Sequence, residues 1–222
     1  MKNKLVITND GSHSILNHKI EERYHSKHGA IVEAEHVFIR NGFSATNKKN
    51  INILEVGFGT GLNALLTYQK ATKKLINVNY HTVEAFPVEK KIYIQLNFTG
   101  LIGLEQEDLL TLHDCKWNKE HKINNFFSFT KHLIALENYN TNIKFDIIYF
   151  DAFSPEKQPE LWSKEIFMKI HSFLEKDGFL VTYCAKGAVK RTMEEVGLKI
   201  IVLDGPPGKR QMTRANKSTP QK

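Results

Sequence analysis

Short apolar runs alternate with amphipathic stretches over most of the chain, from residue 51 onwards. The apolar runs predict strands at 51–56, 80–83, 126–131, 145–150 and 179–184. Apolar positions three and four apart predict helices over 62–73, 88–97, 104–112, 159–174 and 186–196. A final strand pair is expected at 198–203 and 210–214. This order predicts an α/β, Rossmann-like fold with a mostly parallel sheet, helices on both faces and a terminal antiparallel pair.

The first fifty residues show a different pattern. Asp10-Gly11 lies between the apolar segments 5–7 and 14–16, which predicts a small β-hairpin because glycine adopts positive φ at little cost. Apolar positions then recur at helical spacing over 29–40. We therefore expect a hairpin and helix that pack on the main fold as an N-terminal extension.

Length and composition fit one globular domain with a small appendage. The chain has 222 residues, of which 41% are hydrophobic, enough for one sizeable core. Its expected divisions are the N-terminal extension (1–50), the Rossmann-like domain (51–215) and a disordered basic tail (216–222). Lys and Arg number 31 against 24 Asp and Glu, and residues 209–222 hold five basic residues and no acid. This excess suits an anionic partner such as nucleic acid.

The cysteines, the apolar runs and the histidines indicate the cellular setting and whether membrane or metal binding is expected. The two cysteines and the absence of a charged-then-apolar leader predict a reducing, cytoplasmic setting without disulfides. Apolar runs fall short of the roughly 18 residues that span a bilayer, so no membrane segment is expected. The chain has ten histidines but no Cys-x-x-Cys or His-Glu-x-x-His pattern, so we expect no metal site. His25 is instead a candidate for the substrate pocket.

A glycine-rich loop follows the first predicted strand of the main fold. Glu55 ends that strand, and Gly57, Gly59 and Gly61 alternate through the turn into the next helix. Such a turn leaves backbone amides free to face a ligand. A dinucleotide loop has its third glycine one place later, and a Walker loop needs Gly-Lys-Ser/Thr. The pattern instead resembles class I S-adenosylmethionine-dependent methyltransferases, in which an acid ending the second strand, here Glu84, accepts hydrogen bonds from the ribose.

The fourth strand also ends in a carboxylate, Asp151, at the same edge of the sheet. An alkylamine acceptor is mostly protonated near neutral pH, and a carboxylate can orient it or take its proton. Asp151 is therefore the candidate catalytic residue.

Three later motifs narrow the resemblance. They are Asp-Ala-Phe-Ser-Pro-Glu-Lys-Gln-Pro-Glu-Leu-Trp at 151–162, Thr-Tyr-Cys-Ala-Lys-Gly-Ala-Val-Lys-Arg at 182–191 and Gly-Pro-Pro-Gly-Lys-Arg-Gln-Met at 205–212. Together with Asp-Gly-Ser at 10–12 and Glu-Arg-Tyr at 22–24, they resemble the methyltransferase domain of MnmC-type tRNA-modifying enzymes over nearly the whole chain. The Gly-Pro-Pro-Gly turn departs from the family, which usually has an aromatic residue there.

The resemblance implies N-methylation of 5-aminomethyl-2-thiouridine at the tRNA wobble position, with S-adenosyl-L-methionine as cofactor and the anticodon stem-loop as partner. The chain ends before the FAD-containing oxidoreductase domain of bifunctional members could begin, so we expect the stand-alone form. The implied cofactor-binding residues are Glu55, Gly57, Phe58, Gly59, Thr60, Gly61, Asn63, Glu84 and Asp151. The residue that binds the adenine amine is unassigned, with Asp114 and Glu137 as candidates.

Basic and aromatic residues near the strand ends are candidates for the tRNA. Basic side chains would contact phosphates, and an aromatic ring would stack on a flipped wobble base. The candidates are Phe153, Lys157, Trp162, Tyr183, Arg191, Lys209 and Arg210, with Lys186 and Lys190 nearby. Trp162 fits equally well in the core.

Two other functions remain open. A spermidine-synthase-like aminopropyltransferase would share the fold and the strand-end aspartate, but a polyamine disfavours the basic carboxyl end. A non-catalytic tRNA-binding module would leave the acids and the glycine loop without a role.

Overall fold

A small antiparallel sheet and a large mixed sheet organise the chain in the computed structural model, which describes residues 3–217. The small sheet consists of β1 (Lys4–Ile7), β2 (His13–Asn17) and β3 (Glu22–Arg23). β1 and β2 pair antiparallel, which confirms the predicted hairpin. Gly11 has a φ of 82° at the turn, and the Asp10 carboxylate accepts a hydrogen bond from the Ser12 backbone.

The predicted N-terminal helix is present but changes its hydrogen-bonding pattern midway. It begins as α1 (Ala30–Ala34) and continues as a π-helical segment over Glu35–Arg40. Phe38 packs on Tyr149 of the large sheet, with ring centroids 5.2 Å apart. This contact fixes the extension against the core.

The large sheet has eight strands in the spatial order β10-β11-β9-β8-β4-β5-β7-β6. Neighbours from β9 through β7 pair in parallel, while β6, β11 and β10 pair antiparallel. The predicted topology is therefore confirmed. The strands are β4 (Asn50–Val56), β5 (Asn77–Glu84), β6 (Glu120–Asn124), β7 (Phe127–Leu133), β8 (Phe145–Phe150), β9 (Leu174–Thr182), β10 (Leu198–Asp204) and β11 (Gln211–Lys217).

Helices cover both faces of this sheet and enclose two layers of buried side chains. They are α2 (Leu62–Lys74), α3 (Lys90–Tyr93), α4 (Phe98–Ile102), α5 (Gln106–Asp114), α6 (Lys164–Phe173) and α7 (Gly187–Glu195). Short 3-10 helices occur at Phe43–Ala45 and Pro159–Trp162. No helix among residues 3–217 is both long and apolar enough to cross a bilayer.

Several elements differ from the prediction, among them the unpredicted helix α4 and the strand β9, which begins at Leu174 instead of residue 179. The helix expected over 88–97 is reduced to α3, which is followed by turns up to Leu96, and the Asn97 side chain bonds the backbone of Gly11 and His13. The edge strand β6 was not predicted, since its sequence Glu-His-Lys-Ile-Asn is largely polar. The helix expected over 159–174 divides at Ser163, whose hydroxyl caps α6.

The first two residues of the expected tail lie in a strand. Asn216 and Lys217 belong to β11, where they pair with Lys199 and Leu198 of β10. Residues 218–222, which are the rest of the predicted tail, lie outside the described residues.

Candidate active site

A cavity of about 810 Å³ opens at the carboxyl ends of the parallel strands. It lies where β4 is flanked by β5 on one side and β8 on the other, the point at which ligands bind in such sheets. Its wall includes the glycine loop from Gly57 to Thr60 but not Gly61, together with Glu84 to Phe86, residues 134–137, Asp151 to Phe153, Tyr183, Lys209 and the N-terminal residues Glu22 to Ser26 and Glu33.

The glycine loop passes so close to its neighbours that side chains are excluded at two positions. Gly57 has a φ of 90°, and a Cβ there would lie 2.9 Å from the backbone oxygen of Asp151. Gly61, at the start of α2, has a φ of 75°, and its Cβ would lie 3.0 Å from His113 Nε2. The loop therefore packs against β8 and α5 by its backbone.

Two side chains of the loop anchor it to the surrounding protein. Phe58 is buried and packs on His113, with ring centroids 4.9 Å apart. Thr60 is also buried, and its hydroxyl lies 3.2 Å from His25 Nε2. Both border the cavity, but each also fixes the loop to another element.

Glu84 is held at the end of β5 by the backbone. One carboxylate oxygen accepts from the Gly59 N–H at 3.0 Å, and the other accepts from the Phe86 N–H at 2.8 Å. Each oxygen keeps a further lone pair for a ligand. The carboxylate is thus oriented in advance and can accept bonds from a pair of hydroxyls in the cavity.

Glu55 does not border the cavity, although the sequence suggested that it binds the cofactor. It is fully buried behind the loop, on the sheet face opposite Val56. Burial raises its pKa well above the usual range, with help from the charge of Asp151, while Thr82 and Asn63 oppose the shift. Its position suits support of Asn63 and the loop.

Asn63 links this buried region to Asp151. Its side-chain N–H donates to Asp151 Oδ2 at 2.8 Å. The Asp151 backbone N–H donates to Val56 O at 3.1 Å, so both parts of the residue are fixed. The structure gives Asn63 a role in orienting the carboxylate, which the sequence pattern did not indicate.

The Asp151 carboxyl borders the cavity but is surrounded by protein. Burial raises its pKa to about 7, opposed by the hydrogen bond from Asn63. Glu33 raises this pKa further and Lys209 lowers it. A carboxyl with a pKa near the working pH is suited to exchange a proton with a substrate.

The loop after Asp151 is fixed from three directions. Trp162 Nε1 donates to Phe153 O at 2.8 Å, and the Tyr183 hydroxyl donates to Ala152 O at 2.9 Å. From the N-terminal extension, the Glu22 carboxylate accepts from the Ser154 hydroxyl at 3.1 Å. These bonds hold the acceptor side of the cavity in one shape.

The aromatic candidates occupy different places. Phe153 and Tyr183 border the cavity, and Phe153 packs edge-on against Tyr24 with ring centroids 5.0 Å apart. Trp162, expected at the substrate, is 6% exposed and packs on Phe150 and Phe167 instead. Its indole therefore acts through the loop that it bonds.

The basic candidates are also divided. Lys157 borders the cavity, whereas Arg191 and Arg210 are exposed and lie outside its wall. Lys186 forms an exposed ion pair with Glu156.

Lys209 faces inward, where its ammonium pairs with Glu33 at 2.7 Å. From the sequence alone, Lys209 is among the candidate phosphate contacts near the strand ends.

Sequence reasoning missed most of the N-terminal contribution. Tyr24 lies against Gly59, and Glu33 reaches the cavity from α1. His25 was considered for the pocket and does border it, with its Nδ1 3.2 Å from the Ser14 hydroxyl. Burial lowers the His25 pKa to about 4, so it is neutral at physiological pH.

The two candidates for an adenine contact are separated by the structure. The segment after β7 runs beside Glu84, because the Ile134 N–H donates to Glu84 O, and Glu137 borders the cavity. Asp114 does not border it and bonds Lys90 and Tyr93. Glu137 and the backbone near it remain the candidates.

The charge of the wall suits a cationic ligand. Seven acidic side chains border the cavity against four basic ones. The acids are Glu22, Glu33, Glu84, Glu89, Glu137, Asp151 and Glu160, and the bases are Lys19, Arg23, Lys157 and Lys209. The oriented Glu84 carboxylate and the glycine positions of the loop fit the ribose and chain of a nucleoside with a positive sulfur. Within residues 3–217, no group of three or more His, Cys, Asp or Glu side chains is arranged to hold a metal ion.

Comparison with known proteins identifies a matching family model and relatives of this chain. Residues 115–218 match the model of a family described as S-adenosyl-L-methionine-dependent methyltransferase. The tRNA 5-methylaminomethyl-2-thiouridine biosynthesis bifunctional protein MnmC of Burkholderia thailandensis is 28% identical over 225 residues, covering 94% of this chain and 34% of that protein. The chain therefore spans about a third of the length of the curated relatives it matches.

Solved structures show the same fold. MnmC2 from Aquifex aeolicus aligns with a TM-score of 0.81 and 24% identity, covering 99% of this chain and 71% of that one. Spermidine synthase from Thermotoga maritima aligns with a TM-score of 0.53 and 15% identity, covering 98% and 72%. The predicted fold class is confirmed. The predicted methyltransferase class and S-adenosylmethionine as cofactor agree with the family model that matches residues 115–218, and the chain is similar to the methyltransferase part of MnmC.

Proposed function

We propose that this S-adenosylmethionine-dependent methyltransferase, similar to the methyltransferase part of MnmC, methylates the amine of 5-aminomethyl-2-thiouridine at the tRNA wobble position. The product is 5-methylaminomethyl-2-thiouridine. The observation that carries the proposal is the Asp151 carboxylate, which shares one cavity with the glycine loop and Glu84. A cytoplasmic location, where tRNA is modified, is part of the proposal.

One end of the cavity would hold the cofactor. When bound, S-adenosylmethionine supplies a methyl group on a positively charged sulfur for transfer to a nucleophile. Glu84 would accept the ribose hydroxyls, and the backbone of the glycine loop would contact the amino-acid part. Residues 134–137 would border the adenine. The acidic wall would favour the sulfonium charge.

At the other end, Asp151 would receive the acceptor amine. The carboxylate would bind the ammonium form and take one proton, which leaves a neutral nitrogen with a free lone pair and a protonated Asp151. Asn63 keeps the carboxylate oriented through its 2.8 Å hydrogen bond. The fixed 151–154 loop would position the nitrogen, and positioning supplies much of the acceleration in such transfers.

The anticodon stem-loop would approach the mouth of this cavity. A flipped wobble base would enter beside Phe153, which borders the acceptor end. Lys19, Arg23 and Lys157 border the cavity and can contact phosphates of the loop. Arg210, the residue after Lys209, is exposed and is a further candidate for a phosphate contact.

The test is methyl transfer to defined tRNA. The protein is incubated with methyl-labelled S-adenosylmethionine and tRNA carrying 5-aminomethyl-2-thiouridine, and the digested nucleosides are identified by mass spectrometry. We expect one labelled methyl group on that nucleoside and none on matched tRNA whose wobble uridine lacks the aminomethyl group. Label on another nucleoside would reject the proposal.

Two further arms test the other functions. Spermidine formation from putrescine and decarboxylated S-adenosylmethionine would favour an aminopropyltransferase. No heat on calorimetric titration with S-adenosylmethionine would favour a non-catalytic tRNA-binding module.

A further inference from the structure

A partly buried ion pair joins two distant segments in the cavity wall. Glu33, on α1, and Lys209, in the turn between β10 and β11, are 2.7 Å apart, and their side chains are 10% and 34% exposed. The second Glu33 oxygen accepts from the Ser26 N–H at 2.8 Å. The Glu33 carboxylate is therefore fixed through both oxygens.

The Lys209 ammonium has a second fixed contact. It lies 3.9 Å from the centroid of the Tyr183 ring, a favourable position for a cation on an aromatic face. Tyr183 in turn bonds the backbone of Ala152, the residue after Asp151. The Lys209 ammonium is thus held by two protein contacts in the cavity wall.

Both members of the pair act on Asp151 with opposite sign. Glu33 raises the pKa of the Asp151 carboxyl and Lys209 lowers it. The other titratable groups coupled to Asp151 are Glu55 from β4, Tyr80 from β5 and Tyr183 after β9. Burial raises the pKa of each of these three groups well above its usual range. Lys209 and Glu33, which both border the cavity with Asp151, are therefore the two groups of opposite charge that act on its carboxyl.

We infer that Glu33 and Lys209 are positioning residues of the acceptor site, a fixed pair of opposite charges that controls how Asp151 binds and deprotonates the amine. The inference rests on the proposed function. It differs from a phosphate contact, because the pair acts inside the cavity and on one carboxylate. An uncompensated lysine would repel an ammonium substrate, and an uncompensated glutamate would hold Asp151 protonated. The pair avoids both effects.

The experiment compares Lys209→Met, Glu33→Gln and the double variant, which remove one charge or both at similar side-chain size. Loss of the lysine charge should move the acidic limb of the single-turnover pH–rate profile upward by about half a pH unit or more. Loss of the glutamate charge should move it downward by a similar amount. The double variant should return close to the wild type. A purely structural role would lower the rate without opposite shifts.

A direct titration tests the pair without any substrate. The protein is labelled with 13C at aspartate carboxyl carbons, and the Asp151 signal is assigned as the one missing in Asp151→Asn. The same opposite shifts are expected in this NMR titration. If the wild type does not methylate tRNA, the proposed function fails while this titration still decides on the pair.

Two controls complete the design. Lys164→Met removes a lysine from the exposed Lys164–Glu195 pair, 3.2 Å apart and away from the cavity, and should leave the Asp151 titration unchanged. Lys209→Arg keeps the positive charge, so its Asp151 carboxyl should titrate like that of the wild type. This variant shows whether a change seen in Lys209→Met comes from the lost charge or from misfolding. Shifts of the same sign in both single variants, or no shift in either, would overturn the inference.

Discussion

The close approach of the glycine loop to Asp151 gives a prediction with a defined size. In Gly57→Ala, the new Cβ would lie 2.9 Å from Asp151 O, about 0.5 Å inside an ordinary contact. Neither side can yield freely, because the Gly57 N–H bonds Val83 O and the Asp151 N–H bonds Val56 O. The positive φ adds about 1–2 kcal/mol for any L-residue with a side chain.

Gly103→Ala is the matched control. Gly103 has a φ of 72°, similar to the 90° of Gly57, but a Cβ there meets nothing within 4 Å. It should show the backbone strain alone, about 1.5 kcal/mol, which lowers the melting temperature by about 4 °C. Gly57→Ala adds the steric contact and should lose about 3 kcal/mol, or about 8 °C.

Methyl transfer separates the two variants further. A shift of Asp151 by about 0.5 Å should lower the single-turnover rate about tenfold or more, since misplacement of about 1 Å can cost a factor of 10². Gly103→Ala should keep the wild-type rate at a temperature well below its transition. Melting is followed by circular dichroism and transfer by labelled methyl. Equal melting temperatures and equal rates for the two variants would refute the argument that this approach constrains the site.

Three further predictions test other parts of the structure. Trp162→Phe removes the hydrogen bond to Phe153 O and should lower the free energy of unfolding in urea by about 1–2 kcal/mol. It should slow methyl transfer more than it weakens S-adenosylmethionine binding. An unchanged transfer rate would show that the indole does not position the loop. His81 is buried and its pKa is lowered to about 4, so the unfolded chain takes up the proton at a higher pH than the folded protein, and the free energy of unfolding falls as pH drops from about 6.5 towards 4. His81 should account for about 2 kcal/mol of the stability lost between pH 7 and 5. His81→Phe should reduce the loss measured by urea unfolding by that amount, and the same loss as in the wild type would exclude this role of His81. Arg210→Met should reduce the magnitude of the slope of log tRNA affinity against log salt concentration by about 0.7–0.9, while Lys209→Met should leave this slope unchanged. The reverse result would place Lys209, and not Arg210, at a phosphate.

The main fold was predictable because its signals are local. Apolar runs such as 145–150, and the glycines between β4 and α2, identify the parallel sheet and its ligand-binding edge without knowledge of distant contacts. Glu84 and Asp151 could be chosen for the same reason, since parallel strands carry their ends to one edge.

The missing parts depend on long-range contacts. Glu33 and Lys209 are 176 positions apart, and no local pattern marks them as partners. Asn63 looked like part of the cofactor loop, but its bond to Asp151 spans 88 positions. Trp162 and Glu55 were assigned by motif, and only packing shows that one lies in the core and the other behind the loop.

The central claim is that Asp151 binds and deprotonates the acceptor amine in a cavity shared with S-adenosylmethionine. Asp151→Asn tests it most directly, because it keeps the side-chain shape and an oxygen for the Asn63 hydrogen bond. In single-turnover assays with tRNA carrying the aminomethyl group, we predict a rate loss of about 10²–10⁴ with the affinity for S-adenosylmethionine changed by less than about threefold. Methyl transfer near the wild-type rate would contradict the claim.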